Sequence, residues 1–341
     1  MSTRSLDIGL IGFGYWGHDA FAPAVEMHGS RVVAVAARSE ETHARIAESL
    51  PKAAIYDNTA ALLAHPGLDA VIVAVPIAAG APVMTEVLDA GIPAMWEPPV
   101  AGHRADLPGM IEKLRTSRAL TQPDLEFRFL PAVQHAAQLV RDGRIGDLEF
   151  VTARVRLPGG FKEYPIVAGH PLFDVDVTMG TILGTYGADP LHQIVGRFPR
   201  RVMNLDGHAC PKRMQWKCMV LYDYGDGVIG TADINHSTHI GGWRFIYDLA
   251  GTDGNIWVDS LVGTVELQEG EGTDPVRSEH PALEPVLGMA GMRECVNAFL
   301  DAVADGGPGV IPLEEAVKLQ ELGLAVEASK DSGNWEDVAY S

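Results

Sequence analysis

Basic residues are scarce in this chain. Its 341 residues carry 26 Lys and Arg against 45 Asp and Glu, a formal net charge of −19. So acidic a surface repels a phosphate backbone, which sets nucleic acid and anionic membranes aside as partners. An anionic small molecule is still compatible, because a pocket can be locally basic. Cysteine is scarcer still. Cys210, Cys218 and Cys295 form no disulfide framework, so cytoplasmic residence is the default expectation. His208, Cys210 and Cys218 match no zinc spacing, and no metal is expected. Long apolar runs are missing too. No stretch approaches the ~20 residues of a membrane span, and no signal-type apolar core precedes the first strand. What is present is ordinary: 47% hydrophobic and 21% charged residues suit a globular chain, and the length suggests two domains.

The most informative stretch is Leu6-Asp7-Ile8-Gly9-Leu10-Ile11-Gly12-Phe13-Gly14-Tyr15-Trp16-Gly17. A short apolar strand ends in Gly-x-Gly-x-x-Gly, a helical stretch follows, and Arg31 to Ala37 reads as a second strand. In that context Gly12 permits the tight turn, Gly14 admits a pyrophosphate to the backbone, and Gly17 lets the helix pack close to its strand. The helix N-terminus then faces the phosphates, and Phe13, Tyr15 and Trp16 belong to the same turn. The alternative is a Gly-rich turn with no ligand. At the end of the second strand an NAD site usually carries an acid for the ribose 2′-OH. Here the strand ends Ala36-Ala37-Arg38-Ser39. Arg38 and Ser39 suit a 2′-phosphate, which points to NADP with NAD as the other possibility. The plainer reading is an exposed Arg and a helix-capping Ser.

Up to residue 122 strand and helix alternate, as in a Rossmann doubly wound parallel sheet. Asp69 to Pro76 is an unbroken apolar run, the mark of a strand buried on both faces. From residue 123 to 341 the texture changes. Alternating segments at Leu148–Leu157, Gln215–Tyr224, Val228–Ser237, Trp243–Ala250 and Asn255–Asp259 suggest one large, open, mostly antiparallel sheet. Helices near Gly291–Asp305 and Pro312–Ser329 complete an α+β second domain. The expected architecture is therefore α/β: a dinucleotide-binding domain over 1–122, and a substrate and oligomerisation domain over 123–341. A broad sheet covered on one face only favours a homodimer or homotetramer through its other face.

In order, these pieces resemble the glucose–fructose oxidoreductase, inositol dehydrogenase and rhizopine-catabolism family of NAD(P)-dependent oxidoreductases. The likeness rests on the Gly12/Gly14/Gly17 turn, Val73-Ala74-Val75-Pro76, Trp96-Glu97-Pro98-Pro99 and Arg128-Phe129-x-Pro131. Asp142-Gly143-Arg144-Ile145-Gly146, Gly251-Thr252-Asp253-Gly254 and Glu327-Ala328-Ser329 complete it. The resemblance implies that Val75, Pro76, Glu97 and Pro98 lie beside the cofactor. It also implies a Glu-Lys-Pro motif whose lysine reaches the substrate, and an Asp-x-x-x-His motif that supplies an acid/base histidine. Here Pro98 stands where the lysine would be, Thr178 where the histidine would be, and Gly80 near the place of a further His. Asp174 is kept. Proline has no titratable group, and threonine is no base near neutral pH.

His170-Pro171 reads as a helix start. A helix from there places Asp174, Thr178, Thr181 and Thr185 at i, i+4, i+7 and i+11, a polar stripe on an apolar helix. Either the stripe lines a cleft, or the threonines bond back to carbonyls and Asp174 sits in a salt bridge. Lys162, Tyr164 and His170 are candidate proton donors, with Asp174 and Thr178 as the other catalytic candidates. Asp176, Thr181 and Arg128 are candidate substrate contacts, Arg128 otherwise forming an ion pair with Glu126 or Glu97. Reducing a C=N bond needs no base, and a carboxylate such as Asp174 steadies the cation. The expectation is reduction of an imine or activated carbonyl. The alternatives are a lyase, cyclase or hydrolase retaining the cofactor pocket, and a catalytically silent homologue.

Overall fold

The computed structural model describes residues 4–158, 175–207, 217–238, 243–283 and 290–341. They divide into two compact units. One comprises 1–126, 171–176 and 285–317; the other comprises 127–170, 177–284 and 318–341.

The first unit is built on six parallel strands: β1 (Asp7–Ile11), β2 (Arg31–Ala36), β3 (Ala54–Tyr56), β4 (Ala70–Val73), β5 (Ala94–Trp96) and β6 (Thr121–Pro123). Their order is β3-β2-β1-β4-β5-β6. Every residue of β4 is buried, so the continuous apolar run is a strand covered on both faces. The order reverses between β1 and β4, and the crevice beyond their carboxyl ends is where such sheets take a dinucleotide. After β1 a π-helical turn, Trp16–Phe21, runs into α1 (Ala22–Met27). Pro23 explains the wide turn. It has no N–H to give, and its ring crowds the carbonyl four residues back. The remaining helices before residue 126 are α2 (Glu40–Ser49), α3 (Thr59–Leu63), α4 (Gly80–Ala90) and α5 (Leu107–Thr116).

The second unit starts with α6 (Pro131–Arg141) and carries nine strands. These are β7 (Leu148–Pro158), β8 (Arg201–Gly207), β9 (Lys217–Gly225), β10 (Val228–Thr238), β11 (Arg244–Gly251), β12 (Gly254–Asp259), β13 (Thr264–Glu269), β14 (Val276–Glu279) and β15 (Glu336–Asp337). The order is β14-β13-β12-β11-β7-β10-β9-β8-β15. Only β7 and β10 run parallel; the other neighbours are antiparallel. Alternate residues such as Val151, Ala153, Val220, Tyr222, Phe245 and Tyr247 are buried. Two short helices, α7 (Met179–Thr181) and α8 (Asp189–Val195), flank a π-helical turn, Ile182–Gly187. The closing helices are α9 (Met292–Asp305), which packs on α1 in the first unit, and α10 (Leu313–Ser332).

Candidate functional site

The phosphate turn is shaped by what its glycines leave out. Gly12 has φ +96°, and a Cβ there would lie 2.2 Å from the Ala74 carbonyl oxygen of the neighbouring strand end. At Gly17 a Cβ would lie 2.3 Å from the Gly12 oxygen. Both positions therefore exclude side chains on backbone grounds. Gly14 is exposed and faces open space, the cradle a pyrophosphate needs. Phe13 is buried and held by its neighbours. Arg45 of α2 donates to the Phe13 carbonyl, and the His18 ring meets the Phe13 ring edge-on at 5.0 Å. Tyr15 and Trp16 stack edge to face, 5.8 Å between centroids. These residues fit a bound dinucleotide.

At the tip of β2, Ser39 caps α2 by accepting from Thr42 N–H at 3.2 Å, and shares a 2.7 Å bond with the Thr42 hydroxyl. Glu40 and Glu41 lie in the first turn of that helix, where acids suit the macrodipole. Arg38 is exposed and makes no ion pair among the described residues.

Glu97 follows β5 and Asp124 follows β6. Trp96 and Pro123 are register partners, so the next residue of each strand brings the two carboxyl-bearing positions side by side at the carboxyl edge. Backbone bonds pin both: Glu97 N–H donates to Val73 O at 3.0 Å, and Asp124 N–H to Trp96 O at 2.8 Å. Glu97 is half-buried, while Asp124 is 1% exposed. Neither Asp124 oxygen meets a donor at sound hydrogen-bonding geometry. The Cys295 thiol of α9, a weak donor, lies beside it and is itself pushed up by burial and by Asp124. Gln122 gives its amide to the Cys295 carbonyl at 3.3 Å. Burial pushes Asp124 up to about 7, against a smaller downward pull from that thiol. Glu97 is raised well above the usual carboxylate range by burial first, then by Asp124 and Glu126. Val75 and Pro76 lead from β4 into the turn before α4, and are partly exposed.

In the second unit the expected polar stripe gives way to an internal network. Helix begins only at Met179, with Thr178 extended (φ −82°, ψ 166°) as its cap. Thr178 therefore lies outside the helix expected to carry it. Its hydroxyl accepts from Thr181 N–H and Asn204 Nδ2, each at 3.3 Å, and its N–H donates to Glu327 Oε1 at 2.6 Å. The Thr181 hydroxyl donates to the same Glu327 oxygen, and Thr185 bonds back to the Thr181 carbonyl. All three threonines are buried, so they satisfy one another and the backbone rather than line a cleft. Arg128 is buried as well. It grips Asp189 through two bonds of 2.5 and 2.7 Å, a forked pair. His192 bonds Tyr224 at 2.8 Å, and burial followed by Arg128 lowers it to about 3.

Asp176 belongs to the first unit. Its carboxylate accepts from Arg104 N–H at 2.7 Å and its carbonyl from Arg104 Nε at 3.0 Å. That holds the start of the turn before α5. Lys162, Tyr164, His170 and Asp174 lie outside the described residues, as do His208 and Cys210.

Residues 6–124 match the model of the oxidoreductase family with an NAD-binding Rossmann fold. The D-xylose 1-dehydrogenase (NADP(+)) 2 of Haloferax volcanii is 24% identical over 333 residues, covering 95% of this chain and 97% of that one. Over nearly its whole length the chain is similar to the glucose–fructose oxidoreductase, inositol dehydrogenase and rhizopine-catabolism family. It is an NAD(P)-dependent oxidoreductase. Its relatives include the dTDP-3,4-didehydro-2,6-dideoxy-alpha-D-glucose 3-reductase of Streptomyces violaceoruber, 27% identical over 81% of this chain and 78% of that one. The fold matches levoglucosan dehydrogenase in complex with NADH at TM-score 0.84, with 16% identity and coverage of 99% and 100%.

Measured against the family pattern, Pro98 supplies no amine at the end of β5, and Thr178 is engaged as a helix cap. Gly80 opens α4, where a Cβ would lie 2.5 Å from the Val100 oxygen, so no histidine fits there without a backbone shift. Reading the sequence overlooked Asp124, and a signal for it existed. Glu97 and Asp124 are each the first residue after consecutive parallel strands, which is enough to place two acids together.

Proposed function

We propose that this oxidoreductase uses NADP(H) in preference to NAD(H), and reduces an imine or comparably activated carbonyl on a small polar substrate. Arg38 carries the cofactor reading. It is exposed at the tip of β2, has no described ion-pair partner, and is followed by Ser39 where an NAD site usually carries an acid for the ribose 2′-OH. Its guanidinium is available for a 2′-phosphate. Ser39 already caps α2, so it adds less. The Haloferax relative is named for NADP(+), whereas levoglucosan dehydrogenase holds NADH; the β2 tip of this chain supports the NADP reading.

When bound, the nicotinamide supplies the hydride. The chain's own residues hold and surround it: the Gly12–Gly17 turn takes the pyrophosphate, and Glu97 and Pro98 stand at the β5 edge. The reductive reading is supported by the loss of the family's amine and imidazole at Pro98 and Thr178, the groups that would take an alcohol's proton near neutral pH. Reduction of an imine needs a proton donor, and a protonated Glu97 carboxyl suits that role.

Fluorescence titration with both nucleotides tests the cofactor choice. NADPH should bind more tightly than NADH by about 1–3 kcal/mol, the worth of a charge-assisted contact, and Arg38→Ala should erase the difference. Equal affinities in the wild type would contradict the reading, as would an NADH preference that survives Arg38→Ala.

Assembly follows from the second unit's sheet. Phe150, Leu205, Met219 and Ile229 are large apolar residues at 40–50% exposure on adjacent strands, with Phe150 opposite Ile229 and Leu205 opposite Met219. We propose that a second copy covers this face, as a homodimer or a dimer of dimers. Light scattering should give a multiple of 36.6 kDa at micromolar concentration; a monomer would rule the assembly out.

A further inference from the structure

We propose that Glu97 and Asp124 hold one proton between them at the nicotinamide end of the crevice, and that Glu97 hands it to the substrate. The placement comes from the sheet. The adenosine half of a dinucleotide lies on the β2 side of the switch point, so the nicotinamide half lies across β4 and β5. Glu97 follows β5 and its N–H is bonded to the end of β4. It is the half-buried, reachable member of the pair, and Asp124 is the sealed one.

Two carboxyls side by side, with no described cation or sound donor on Asp124, cannot both ionise without large cost. Among the described residues, the charged and titratable groups facing them are Glu126, on the chain just beyond β6, and the Cys295 thiol of α9. None of these neutralises a carboxylate. The proton therefore stays. Glu97 acts as the catalytic acid, and Asp124 as a positioning residue that keeps Glu97 protonated.

The step rests on the reductive reading above. The imine nitrogen lone pair takes the proton, so an O–H bond breaks at Glu97 and an N–H bond forms. This leaves a carboxylate beside an iminium. A bound reduced nicotinamide would supply hydride to the carbon, and the C=N π pair would become the nitrogen lone pair. Glu97 then regains a proton from solvent. The carboxylate formed in the first half steadies the cation during the second.

The test needs no substrate. The oxidised nicotinamide ring is a cation and the reduced ring is neutral. Calorimetric titration of the full chain near pH 7, in two buffers of different ionisation enthalpy, counts protons released per nucleotide. Wild type should release about one proton more with NADP+ than with NADPH, since a cation placed beside carboxyls favours their ionised form. The 2′-phosphate is common to both nucleotides and cancels. Glu97→Gln should abolish the difference while NADPH still binds, and Asp124→Asn should reduce it. Equal release with both nucleotides overturns this proposal alone, as does a difference that persists in Glu97→Gln. A protein that binds neither nucleotide overturns the cofactor reading and this proposal with it.

Discussion

Asp124 and Asp189 are each 1% exposed, yet their surroundings are opposite. In the second unit Asp189 meets the Arg128 fork, and charge is matched by charge. In the first unit Asp124 has Glu97, Glu126 and a thiol for company. The paired acid ties two segments of its unit together. The unpaired acid is pushed up by burial, and it stands at the sheet edge where a family lysine is replaced by Pro98. Buried acids of equal depth thus differ in their partners, and the proposed proton donor stands beside the one without a described cation.

The largest expected effect breaks the paired side of that comparison. Asp189→Ala leaves the Arg128 cation buried without its carboxylate, and should cost about 3–5 kcal/mol in urea unfolding. Replacing both residues, Arg128→Met with Asp189→Leu, should recover most of the loss, because a well-packed apolar pair is close to neutral relative to a buried ion pair. A small loss in the single variant would mean that Asp189 is no better provided for than Asp124.

Legibility divided along similar lines. The Rossmann strands were readable because parallel strands buried on both faces are continuous apolar runs, as in Ala70–Val73, and because the glycine turn has a backbone requirement at Gly12. The antiparallel strands β7 and β9 to β12 showed their alternation. β14 did not: Val276-Arg277-Ser278-Glu279 is an edge strand of mostly exposed residues with no apolar face to betray it. The helix expected from His170 failed over 175–178 because periodicity cannot see Glu327, distant in sequence, fastening Thr178 as a cap. The packing of α9 on α1 had no local signal, since it depends on contacts between residues far apart in the chain. Arg128 could be picked out as buried or functional, but its partner Asp189, 61 residues on, could not.

The unpaired side is tested most directly by stability against pH. Burial raises Asp124 from 3.8 to about 7. Above the lower value the unfolded chain has lost a proton that the folded chain still holds, so this group's contribution to stability falls as pH rises from about 4 to about 7. The slope is about 1.4 kcal/mol per pH unit for one proton. Urea unfolding of wild type and Asp124→Asn at pH 5 and pH 8 reads that term together with its coupling to Glu97, the remaining titrations being shared. The account predicts that the variant gains on the wild type by up to about 3 kcal/mol between the two pH values. A difference between the two proteins that stays constant from pH 5 to pH 8 would contradict it, because Asp124 would then titrate alike in the folded and unfolded chain.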